Sequence, residues 1–169
     1  MDIQPYLDAN SQIQLLARRL MGALPHIDIA GVDFTVDWRL RELRETASPW
    51  NKINLDLLRE SESGEEYLGL YDTKEKKLYD QDDNITTVPE NVVGLEIPHE
   101  VKLDPVAVAR EYGVDIVQFV QLNPIVKDLK AFIRLVTETG LPEMVAENLR
   151  KIQNPEQEAE RNRARKTGR

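Results

Sequence analysis

The chain has 169 residues, 41% of them hydrophobic and 31% charged, which supplies one sizeable core and excludes disorder throughout. Its formal charge of −8 is uneven, because Arg161, Arg163, Arg165, Lys166 and Arg169 place +5 in the last nine residues and leave −13 on the rest; the body repels polyanions at long range and only the tail attracts them. Absence of cysteine removes disulfides, thiolate metal sites and cysteine nucleophiles, and no apolar run approaches the roughly 20 residues that cross a bilayer, so the expectation is a cytoplasmic protein without a membrane partner.

The first predicted element is a helix within Asn10 to Leu24, where Ile13, Leu16, Ala17, Leu20, Ala23 and Leu24 recur at helical spacing before Gly22 and Pro25 end it. The clearest pattern follows. Ile27 and Ile29, a break at Ala30-Gly31, then Val32, Phe34, Val36, Trp38 and Leu40 alternate with Asp33, Thr35, Asp37, Arg39 and Arg41, which predicts a hairpin buried on one face only. Lys52 to Leu55 reads as a third strand, Tyr67 to Tyr71 with Leu78-Tyr79 as a second hairpin, and Asn91 to Ile97 as a last strand closed by Pro98. Short consecutive strands with tight links predict an antiparallel sheet of about five or six strands over residues 27–97, in an α+β fold.

Beyond Leu103 the period changes to 3.6. Asp104-Pro105 starts a helix that Gly113 stops, Asp115 starts another through Leu122, and Asn123-Pro124 ends it. A third helix is expected over Ile125 to Thr139, with Ile125, Leu129, Phe132, Ile133 and Val136 on one face, and a fourth from Pro142 to Ile152. Residues 1–153 then form a single α+β domain, with a sheet part over 1–103 and a helical part over 104–153 covering the sheet together with the first helix. Residues 154–169 form a charged tail, helical or disordered.

Val106 to Val114, continuing to Leu122-Asn123-Pro124, resembles the helical half of a lysin motif, with its alanine, tyrosine-glycine-valine turn and closing leucine-asparagine-proline. The resemblance covers residues 104–124 and implies two helices on a two-stranded sheet, binding N-acetylglucosamine polymers such as peptidoglycan. Here His99 to Leu103 replace the family's glycine-rich approach, and the helix expected after Pro124 stands where the strand should return. The same run also resembles a DNA-binding helix-turn-helix, with Ala109, Gly113 and Phe119 at the expected offsets. Its second helix offers Asp115, Gln118 and Gln121 but no lysine or arginine, and phosphate attraction dominates DNA affinity.

His26 and His99 each follow a proline at a strand edge, and with Asp28 or Glu100 they could hold zinc or iron, against the plainer reading of two histidines placed there by chance. Asp80, Asp82 and Asn84 open like a calcium loop, yet Ile85 replaces its glycine and Asn91 its bidentate glutamate. No serine occupies a glycine elbow and no phosphate loop exists, so neither an enzyme nor a cofactor is expected. Trp50, after Ser48-Pro49 and before Asn51 and Lys52, either anchors a partner or caps the rim of the core.

By elimination the expected role is a non-enzymatic protein-interaction or adaptor module, working through a protein partner or as a homo-oligomer. One alternative is a nucleic-acid accessory protein that uses the basic tail 161–169, with Arg161, Arg163, Arg165 and Lys166 as binding residues. The other is a carbohydrate-binding protein that uses the lysin-like stretch 104–124. The run Ile27 to Leu43 faintly resembles small bacterial proteins, which carries no activity with it.

Overall fold

The computed structural model describes residues 4–168. Helix α1 (Gln4–Leu20) leads into β1 (His26–Ile29), β2 (Val32–Asp37), β3 (Glu42–Glu45) and β4 (Lys52–Asn54). A 3-10 turn over Leu55–Leu57 passes to β5 (Arg59–Glu60), β6 (Glu66–Asp72), β7 (Lys77–Leu78) and β8 (Val92–Pro98). Helices α2 (Glu100–Leu103), α3 (Pro105–Tyr112) and α4 (Ile116–Leu122) precede the short strands β9 (Leu129–Lys130) and β10 (Phe132–Arg134), and α5 (Leu141–Gln153) and α6 (Pro155–Thr167) complete the chain. The fold is α+β with two five-stranded, mostly antiparallel sheets, one ordered β4-β3-β2-β1-β9 and the other β10-β8-β6-β5 with β7 also on β6.

The alternating pattern of β1 and β2 works as expected. Ile27 faces Phe34 and Ile29 faces Val32 across an antiparallel ladder, and Ile27, Ile29, Phe34 and Val36 are all fully buried. Ala30 and Gly31 make the turn with φ of 50° and 85°, and the Asp28 carboxylate accepts from the Gly31 amide. Alternation stops sooner than predicted: Arg41 takes φ of 55°, its amide donates to the Trp38 carbonyl, and Asp37 accepts from the Leu40 amide. That turn leaves Trp38 in the core, turns Leu40 outward and starts the unexpected strand β3. Helix α1 likewise stops at Leu20, because Gly22 adopts φ of 103° and the Ala23 amide folds back to the Arg18 carbonyl.

The expected helix over Ile125 to Thr139 does not form. Its residues make β9, β10 and a 3-10 turn over Val136–Glu138. The helical spacing hides a period of two, since Leu129 and Ala131 are buried while Lys130 and Phe132 are exposed. This segment also explains why the strands divide between two sheets. Strand β9 runs parallel to β1, and one residue later β10 pairs antiparallel with β8, so buried Ala131 is the corner where the chain leaves one sheet for the other. Side chains from both sheets meet in one core, with Phe34, Val36 and Leu43 from the first, Tyr71, Leu95 and Ile97 from the second, and Leu103 and Val108 from the helices.

Helix α3 is capped as its sequence predicts, with Asp104 accepting from the Ala107 amide, Pro105 in the first turn and left-handed Gly113 after the last. Helix α1 is tied to this end of the molecule through Gln12, which donates to the Ile125 carbonyl and accepts from the Ile125 amide at 2.8 and 2.9 Å. Among the described residues no helix is long and apolar enough to cross a membrane.

Candidate functional site

A groove of about 760 Å³ opens between the end of α1, the turn from β2 to β3, and α3. The ring of Trp38 lies within its wall. Alternation turns that ring inward, and its indole Nε1 donates to Glu111 Oε2 at 2.8 Å. The Arg41 guanidinium lies over the same ring, 3.7 Å from its centroid, and donates to Glu111 Oε1 at 2.7 Å and to the Trp38 carbonyl at 2.9 Å. These bonds, Arg41 first and Trp38 second, hold the Glu111 carboxyl below the usual carboxylate range.

The groove rests on a second ion pair. Arg19, on the last turn of α1, grips Asp104 through Nε at 3.1 Å and Nη2 at 2.8 Å. Asp104 is fully buried, and since it also caps α3, one carboxylate fastens the two helices together. Asp37 takes Nη1 of Arg44 at 3.1 Å. Two further guanidiniums, Arg39 and Arg110, line the groove, are exposed, and have no ion-pair partner among the described residues. None of these arginines was a candidate from the sequence. Arg39 and Arg41 looked like the wet face of a strand, Arg19 like a helix-end cation, and only the fold brings them beside Arg110.

Trp50 sits at the tip of the β3–β4 hairpin, 81% exposed, and so is not a cap on the core. Its loop is tightly closed, with the Ser48 amide donating to the Glu45 carbonyl, the Asn51 amide to the Ser48 carbonyl and the Glu45 amide to the Asn51 carbonyl. The Asn51 side chain donates to Glu45 and to the Lys76 carbonyl at 3.0 and 2.6 Å, and Lys76 pairs with Glu45 at 3.2 Å. Asn51 foremost, with Lys76, lowers the Glu45 carboxyl from its ordinary value.

The structure gives the two histidines separate partners. His26 Nδ1 meets Asp33 at 2.7 Å, and Thr46 donates to the same carboxylate. His99 Nε2 meets Glu100 at 2.7 Å while its ring stacks on Tyr67. Burial and the Glu100 carboxylate, to which the phenol donates, push the Tyr67 hydroxyl well above its ordinary value. Among the described residues no group of three or more His, Asp or Glu is placed to hold a metal ion. The Asp80 to Asn84 loop is a docked turn, with Asn148 donating to the Asp83 and Ile85 carbonyls at 2.8 Å.

Arg161, Arg163, Arg165 and Lys166 all lie exposed on α6, and Arg169, at the end of the basic tail, lies outside the described residues. In the lysin-like stretch, the strand missing from the sequence reading is present: after α3 and α4, Phe132, Ile133 and Arg134 of β10 pair antiparallel with Glu96, Leu95 and Gly94 of β8. No protein-family model, curated protein or solved structure matches the chain.

Proposed function

We propose that the protein is a non-enzymatic interaction module of the cytoplasm that engages a protein partner, with the Trp50 tip as its anchor. The observation that carries this reading is a tryptophan 81% exposed on a loop closed by backbone hydrogen bonds and tied to Lys76 through Asn51. Large rings that enter a partner's pocket dominate binding energy, and a loop fixed in advance loses little entropy on docking. An absence of cysteine supports a reducing compartment for this work. The test uses wild-type protein and Trp50→Ala as parallel baits in extract of the cell that makes it, with captured proteins quantified. A partner held by the wild type and reduced at least tenfold on Trp50→Ala is the expected result; equal recovery by both baits overturns the reading.

A second reading has its own support. Between the antiparallel neighbours β8 and β10 the chain runs through α2, α3, α4 and β9, so the two helices of residues 104–124 lie between two paired strands, in part as the lysin-motif resemblance implies, which favours binding of an N-acetylglucosamine polymer. Co-sedimentation with insoluble chitin and with peptidoglycan tests it. Protein in the pellet that soluble N-acetylglucosamine oligomers release supports glycan binding, and protein wholly in the supernatant ends it.

A further inference from the structure

We infer that the groove around Trp38 is a second recognition site, built for an acidic peptide segment of a partner protein. Its charge pattern is the first reason. The body of the chain is acidic, yet four arginines, Arg19, Arg39, Arg41 and Arg110, converge on this one groove. Every carboxylate in or beneath it is already engaged: Asp37 by Arg44, Asp104 by Arg19, and Glu111 by Arg41. Arg39 and Arg110 are exposed and have no ion-pair partner among the described residues, and an arriving carboxylate can pair with either through two parallel N–H groups.

Glu111 is the second reason. It reaches into the groove from α3 and is held by an indole N–H and a guanidinium together, so the groove already accommodates a carboxylate of its own chain. The third is shape and lining. A groove of about 760 Å³ is far larger than a single anion needs and falls in the range of sites that enclose organic ligands, and Leu24, Ala107 and Trp38 place apolar surface between the cations. That mixture suits a peptide in which acidic and aliphatic side chains alternate. A nucleic acid fits less well, because its long run of phosphates would meet the acidic remainder of the body. This inference does not depend on Trp50, which belongs to a different loop.

The experiment measures anisotropy of a fluorescein-labelled Glu-Leu-Glu-Glu-Leu-Glu peptide, its Gln-for-Glu counterpart, and a labelled oligothymidylate, with the full chain. The acidic peptide is expected to bind at least tenfold tighter than the neutral one, and its affinity to fall as salt rises. The Arg39→Glu, Arg110→Glu double variant is expected to weaken it at least tenfold without lowering the melting temperature, since both side chains are exposed and make no ion pair among the described residues. Arg110→Gln, a milder change, should weaken it less. Equal affinity for the acidic and neutral peptides, unchanged binding by the folded double variant, or oligothymidylate binding that the double variant abolishes while the acidic peptide does not bind each overturns the inference.

Discussion

The two tryptophans of this chain lie only a hairpin apart and are used in opposite ways. Trp38 is 8% exposed, packed in the shared core, fixed at its polar edge by Glu111 and covered on one face by Arg41; Trp50 is 81% exposed, on a loop closed beneath it. The same large ring is packed into the fold where a helix closes over it, and stands open to solvent where no helix does. If this contrast is right, the two positions separate stability from binding. Trp38→Ala should then have the largest effect of any change near the groove. Removing a buried ring of this size costs about 3–5 kcal/mol, and a chain of this length should lose roughly 10 °C in melting temperature. Differential scanning calorimetry reads it directly, and a loss of only a degree or two would mean that α3 does not rely on the ring.

The next effect sharpens the contrast from the other side of the groove. Asp104 is 1% exposed, holds Arg19 through two donors, and caps α3. Asp104→Ala strands the Arg19 cation under α1 and uncaps the helix, for a combined loss of about 3–4 kcal/mol. Asp33 makes an equally short contact with His26 in the open, where such pairs contribute at most about 1 kcal/mol, so Asp33→Ala should hardly move the unfolding midpoint in urea. Similar distances with dissimilar burial make the pair of variants a test of burial rather than of geometry.

The contrast between the tryptophans was partly legible in the residues. Period two from Ile27 to Trp38 announced which rings turn inward, and proline and polar neighbours around Trp50 announced a loop. The groove was not legible, because Arg19, Arg41, Arg110 and Glu111 come from an α-helix, a turn and a second helix, and no local spacing relates them. Residues 125–139 misled for another reason. Leu129, Ile133 and Val136 satisfy helical spacing, while the alternation of Leu129, Ala131 and Ile133 satisfies a strand, and only the open edges of β1 and β8 decide between them. The same edges determine that the strands form two sheets instead of one, since nothing local marks Ala131 as a corner.

Acid should tell the two tryptophan sites apart more gently. The Glu111 carboxyl is held below its ordinary range by Arg41 and Trp38, so its contribution is complete above the unfolded value of about 4.3 and is lost as pH falls through the lower folded value. Stability should therefore decline below about pH 4, with the Trp38 emission shifting to the red as the indole loses its acceptor. Glu111→Gln should flatten that part of the pH profile by lowering the neutral plateau, since the contribution that acid removes from the wild type is absent from this variant at every pH. Glu45 is lowered as well, by Asn51 and Lys76 at the base of the other hairpin, so some acid sensitivity should survive in Glu111→Gln and fall further when Glu45→Gln is added. Melts from pH 7 to pH 3 on the three proteins check the order.

The smallest expected effect is the most informative about recognition. Trp50→Ala removes no core contact, and surface changes of this kind stay within about 0.5 kcal/mol. Its melting temperature should match the wild type, and its hairpin should persist, because the bonds that close the loop run between Glu45, Ser48, Asn51 and Lys76 and leave the ring out. A fall of several degrees would show the ring bracing the loop, and would move Trp50 from the binding side of the contrast to the stabilising side that Trp38 occupies. An unchanged melt combined with lost partner capture is the one outcome in which the tip acts by contact alone, and it requires both measurements on the same preparation.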